Sequence, residues 1–154
     1  MPFMSHRELL PIPPVETATD PIASAADLRQ RWRALMGPLG FDERVLRFGF
    51  VGPDRCMIKV LGDFPIKLTP ELRPVRQLVE TLRALVHQLG DGTTVARLLT
   101  RPGVGPVSDS DRRWATLLTH TAAEFGVPLE PIFRAHDEAL VQLDSELQGT
   151  AQVR

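Results

Sequence analysis

The stretch from residue 93 to 125 constrains the fold most, because it reads as three elements joined by an unusually rigid connection. Thr94-Val95-Ala96-Arg97-Leu98-Leu99-Thr100 has the composition of a strand, and Arg101-Pro102-Gly103-Val104-Gly105-Pro106 is loop chemistry. Ser108-Asp109-Ser110-Asp111 then opens a helix. Its inward positions fall at Trp114, Leu117, Leu118, Thr121, Ala122 and Phe125, one face of a 3.6-residue period. Gly126 follows the last turn, where a left-handed residue closes a helix. A strand, a sharp loop and a capped helix in that order point to a domain mixing helix and sheet.

The elements on either side fit this reading. Ser24 is placed to cap a helix whose apolar stripe is Leu28, Trp32, Leu35, Met36 and Leu39, with Arg29, Arg31 and Arg33 off the stripe. Residues 45–51 and 56–61 are apolar runs separated by Gly52-Pro53-Asp54-Arg55, which predicts a hairpin. Gly62-Asp63 predicts a turn into a short strand over 64–68, pushed to an edge by Pro65. The strongest helical period runs through Val75, Leu78, Val79, Leu82, Leu85, Val86 and Leu89, with Pro74 near its start and His87 off the stripe. Residues 127–133 carry Pro128 and Pro131 and predict an edge strand. Residues 135–138 predict a turn, and 139–143 a final strand, although Leu140, Leu143 and Leu147 also fit a helix.

The expected architecture is therefore α/β (α+β), a single mixed sheet flanked by helices. An extended proline-rich arm (1–22) precedes one domain (23–147) and a polar tail (148–154). In the arm, Leu9, Leu10, Ile12 and Val15 lie between prolines that deny the backbone its donors. With Trp32 as a core or interface anchor, these are the candidate interaction residues.

Charge and cysteine usage exclude several classes. The net charge of −1 offers no overall basic field for nucleic acid or an anionic membrane. Cys56 is the single cysteine, so a disulfide framework or a multi-cysteine zinc site within one chain is excluded and a cytoplasmic setting is expected. No apolar run approaches the ~20 residues needed to span a bilayer.

In its order of elements the chain resembles the JAB/JAMM metalloprotease-like fold, most of all the RadC-type branch. Leu99-Thr100-Arg101-Pro102-Gly103 stands where that branch has His-x-His-Pro. Ser108 to Asp111 stands at its Ser-x-x-Asp, one residue closer than the family's spacing. Gly126-Val127-Pro128-Leu129 stands at the strand after the helix. Leu98-Leu99-Thr100-Arg101-Pro102-Gly103 and Asp111-Arg112-Arg113-Trp114-Ala115 also resemble patterns of uncharacterised actinobacterial proteins, a likeness that adds no function. The JAB/JAMM resemblance implies a site at Leu99, Arg101, Ser108 and Asp111, but one without the family's chemistry. Two histidines and an aspartate would hold a water-activating zinc. Leucine has no lone pair to offer, and arginine stays protonated and repels a dication. The upstream general-base glutamate also has no counterpart in 45–51 or 56–61. No metal or other cofactor is expected.

Ser108 and Asp111 have a second reading as a capping pair, and the Arg101 guanidinium is expected beside the Asp111 carboxylate. The function implied is a non-catalytic interaction or scaffolding module whose partner is another protein or a second copy. Two alternatives stand beside it. One is an enzyme of unrelated chemistry using His120, four residues before Glu124, or His136, each also readable as a solvated surface histidine. The other is a small-anion site on the Arg101–Gly105 loop, also readable as a plain turn.

Overall fold

A computed structural model of the chain describes residues 11–143. Leu9, Leu10 and the polar tail lie outside the described residues. The order is α1 (Ala25–Met36), β1 (Val45–Val51), β2 (Met57–Pro65), α2 (Leu72–Leu89), β3 (Thr94–Thr100), α3 (Asp109–Glu124), β4 (Leu129–Ala135) and β5 (Leu140–Gln142). The strands form one mixed sheet in the order β2-β1-β3-β4-β5. Among the described residues only β3 and β4 run parallel, joined through α3; the other neighbours are antiparallel.

Alternation along the strands divides the core into two layers. Leu46 and Phe50 of β1, Val95 and Leu99 of β3, and Ile132 of β4 face the stripe of α2 (Val75, Leu78, Val79, Leu82) and that of α3 (Trp114, Leu118, Ala122). Val51, Ala96, Leu98, Phe133 and Ala135 face the other way, onto Leu28 and Trp32 of α1. Trp32 is fully buried in this layer, so its ring packs within the chain's own core.

Several expectations are corrected by tertiary context. Residues 62–63 do not turn: β2 continues through them to Pro65, with Gly62 opposite Phe48 in the ladder to β1. The glycine is there for packing, since a Cβ on Gly62 would lie 2.3 Å from Phe48 Cζ. A bulge follows, where Gly49 pairs with Leu61 but Phe50 pairs with Ile58.

The segment expected as an edge strand, 127–133, supplies most of β4, an interior strand lying between β3 and β5. Pro131 is accommodated at a bulge, because Val95 pairs with Leu129 while Arg97 pairs with Ile132. Pairing to β5 begins only at Phe133, so the missing N–H of Pro131 leaves no gap there. The strand reading of residues 140–142 holds.

Residues 11–14 have no regular secondary structure, and a 3-10 turn at Val15–Thr19 follows them and buries Ala18. Arg33, expected off the apolar stripe of α1, is buried. Helix α2 begins at Leu72, two residues before Pro74, as a first-turn position without an intrahelical N–H partner permits.

The β1–β2 turn is tied to the rest of the sheet by charge. Arg55, at φ 67°, donates Nη1 and Nη2 to the two Glu130 carboxylate oxygens at 2.7 and 2.9 Å and Nε to the Ile22 carbonyl at 3.1 Å. Thr94 Oγ1 adds a 2.6 Å bond to Glu130. The Arg55 hydrogen bond, with Thr94 and the Arg55 charge, holds the Glu130 carboxyl below the usual range despite partial burial.

Close contact of the Phe48 ring with Gly62 is testable. Gly62→Ala is expected to cost about 1–3 kcal/mol by overpacking, with most of that loss absent in a Phe48→Ala background. Equal losses in both backgrounds by chemical denaturation would refute the contact.

Candidate functional site

The site is built where β3 gives way to the loop. Leu99 and Arg101, two residues apart, leave the sheet on the α3 side, and the Arg101 N–H donates to Ala135 O at 3.0 Å, extending the parallel ladder. Across the loop, Ser108 caps α3. Its Oγ accepts from the Asp111 N–H at 3.1 Å, and Asp111 Oδ2 accepts from the Ser108 N–H at 3.0 Å, the reciprocal capping box. The same carboxylate takes the Arg101 guanidinium side-on, Nε to Oδ1 at 3.0 Å and Nη2 to Oδ2 at 3.0 Å. Arg101 Nη2 also donates to Pro106 O at 3.2 Å, closing the loop over the pair. The expected Arg101–Asp111 pair is therefore present, and Asp111 serves as cap and counter-ion at once.

Two residues that sequence reasoning did not bring to this place complete the cluster. Arg134, next but one after Ile132 on the same face of β4, sets Nη1 3.5 Å from Asp111 Oδ2. Its Nε and Nη1 have no hydrogen-bond partner among the described residues. The period-2 pattern of β4 was the available signal, hidden by the expectation that this strand lay at an edge.

His136, expected in a solvated turn, is 2% exposed. Its Nδ1 accepts from the Glu138 and Ala139 N–H groups, both at 3.1 Å, so Nε2 carries the proton and donates to Gly105 O at 2.7 Å. Burial comes from the turn it organises: Asp137 Oδ2 accepts from the Gly103 N–H at 2.9 Å and Oδ1 from the Phe41 N–H at 3.1 Å.

Electrostatically the cluster is two guanidiniums, one carboxylate and a neutral imidazole. Burial alone would raise the Asp111 carboxyl. The Arg101 and Ser108 hydrogen bonds and the two guanidinium charges outweigh it and hold Asp111 below the ordinary range. Burial lowers His136, and the positive charges of Arg134 and Arg101 push the same way. Burial lowers Arg134 too, against the attraction of Asp111.

The arrangement suits structural electrostatics. Both nitrogens of His136 are engaged, and the carboxylate is locked in its charged form by two cations and a helix N-terminus. It does not suit a zinc ion. Leu99 presents hydrocarbon, buried at 3% exposure, and Arg101 lies on the one acidic group. Among the described residues no group of three or more His, Cys, Asp or Glu side chains could hold a metal ion.

Other candidate residues lie apart. His120 is exposed on α3, and Glu124, four residues on, pairs with Arg76 of α2 at 3.1 Å. In the Arg101–Gly105 loop, the Gly103 amide is engaged by Asp137 and the Gly105 carbonyl by His136. Ile12 and Val15 are exposed on the arm. In comparisons with known proteins, no family model and no curated protein matches the chain.

Removing the shared carboxylate leaves two buried guanidiniums without a counter-charge, so Asp111→Asn is expected to cost about 3–5 kcal/mol. Because Asp111 titrates lower folded than unfolded, its contribution is complete above about pH 4 and lost as pH falls through the folded value. The acid limb of the stability curve should be shallower in Asp111→Asn. The buried neutral His136 has the same sign higher up: stability is full above about pH 6.5 and declines as pH falls toward its lowered folded value. His136→Gln should flatten that step, and an unchanged step would show that His136 does not titrate in this setting.

Proposed function

We propose that the chain is a non-catalytic protein-interaction or scaffolding module, cytoplasmic, with a metal-free site of the JAB/JAMM type. The observation that carries this reading is the buried Arg101–Asp111 pair. A permanent cation lies on the one carboxylate, at the position where the resemblance would require an imidazole and a zinc ion. A guanidinium there neither transfers a proton at working pH nor polarises water as a Lewis acid does. The alternative enzyme reading loses support from the exposure of His120 and the full engagement of His136. The loop-anion reading loses it from the bond between Gly103 and Asp137.

Support for a protein partner comes from where apolar surface remains. Val60 and Leu61, 44% and 48% exposed, lie on β2, whose outer side has no neighbouring strand among the described residues. An unpaired edge with exposed aliphatic residues is a surface onto which another chain can add. Ile12 and Val15 expose further aliphatic surface on the arm. No helix among the described residues is long and apolar enough to cross a membrane.

Light scattering on the purified protein tests the reading. The expected mass exceeds the 17.1 kDa of one chain, and Leu61→Lys shifts it toward the monomer. Equimolar zinc should leave the melting temperature unchanged. A strict monomer that zinc stabilises and a chelator destabilises would overturn the proposal.

A further inference from the structure

A second feature lies on the opposite layer, away from the Asp111 cluster. Arg33 of α1 is 5% exposed, and its Nε has no hydrogen-bond partner among the described residues. The other buried arginines named above lie on the α3 side of the sheet and have a counter-charge or an acceptor nearby, although Arg134 Nε and Nη1 also lack a hydrogen bond among the described residues. Arg101 and Arg134 face Asp111, and Arg97 donates to Thr119 Oγ1 at 3.1 Å and Glu130 O at 3.0 Å. Among the described residues Arg33 has no ion pair with an acidic group. Its nearest charged influence is repulsive: burial lowers its pKa, and Arg29, one helical turn earlier, lowers it further. Arg29 is held in place by its Nε bond to Leu140 O at 2.8 Å. Two like charges at i and i+4, one of them desolvated, form an arrangement that needs an anion.

The space for one is present. A cleft of about 300 Å³ lies between α1 and residues 11–14, lined by Arg29, Gln30 and Arg33 on one side and by Pro11, Ile12 and Pro13 on the other. Proline has no N–H and no charge, so the polar donors come from the helix, while the facing rings and Ile12 supply apolar surface. Among the described residues no carboxylate lines the cleft. The volume is at the lower end of small-molecule sites.

We propose that this cleft binds a small organic oxyanion, a carboxylate or phosphate monoester with an apolar body, through the guanidiniums of Arg33 and Arg29. The planar guanidinium fork matches either head group through its terminal Nη1 and Nη2 donors, since Arg29 Nε is taken by Leu140 O and Arg33 Nε is itself buried. The proline-walled side accepts the hydrocarbon part, which is what separates an organic anion from a bare one. The site is independent of the Asp111 cluster and of any role of that cluster.

Thermal unfolding with benzoate, phenyl phosphate, inorganic phosphate and sodium chloride at matched ionic strength tests it. The wild-type melting temperature should rise with the logarithm of ligand concentration, by about 5–10 °C at a hundredfold excess over the dissociation constant, with benzoate or phenyl phosphate. The stronger of the two identifies the head group. Chloride should have no such effect. Arg33→Met should melt no lower than wild type without anion, since a bare buried cation is removed, and should lose the response. Arg33→Lys, which keeps charge but not the fork, should weaken it at least tenfold in apparent affinity by calorimetry. A wild type that ignores both organic anions overturns the site, as does an Arg33→Met variant that responds like wild type.

Discussion

The Asp111 carboxylate holds together parts of the chain that nothing else connects so directly. It closes the first turn of α3 through Ser108, neutralises Arg101 at the end of β3, and faces Arg134 on β4. Those three elements are the strand, helix and parallel strand of the crossover unit, and the carboxylate lies near where they converge. A cap alone stabilises by about 0.5–2 kcal/mol. Here the same oxygens also answer a buried guanidinium, so losing them exposes the full desolvation penalty of the partner. The low titration range of Asp111 follows from this crowding of positive charge.

A second polar tie, Glu130 with Arg55 and Thr94, acts on β4 nearer its start. Together the two account for an interior strand that contains a proline. Pro131 cannot donate to the ladder, and its bulge loosens the register between Val95 and Arg97. On one side of the defect the Glu130–Thr94 bond ties β4 to β3, and on the other Arg134 faces Asp111 of α3. The turn after β4 is fastened in its turn by His136 and Asp137 to Gly103 and Gly105. Loop 101–106 is thus braced from both sides, which leaves little of its backbone to greet a ligand.

The functional reading follows from this bracing. Of the groups that could do chemistry elsewhere, the Asp111 carboxylate is paired with two guanidiniums and both nitrogens of His136 are engaged by backbone groups. Such pairing favours rigidity over turnover. Arg33, by contrast, remains unanswered in a cleft with an apolar wall, and the exposed residues of β2 lie on an unpaired edge. Binding surfaces, not the 101–106 loop, are where this molecule has unused interaction capacity.

Local pattern determined a good deal by itself: the caps at Ser24 and Ser108, the stripe of α2, and the bounds of β1 and β3. Each depends on neighbours within a turn or two of chain, where periodicity and capping chemistry act. Tertiary structure decided the rest. Gly62 resembled a turn residue until the Phe48 ring occupied its missing side chain. The two prolines of 127–133 suggested an edge until a bulge and a short β5 made an interior position possible. His136 became buried because a distant segment, residues 103–105, came to lie over it, and Arg33, expected off the stripe, is buried as well. Burial of a polar side chain is a property of what covers it, and the covering chain is far away in sequence.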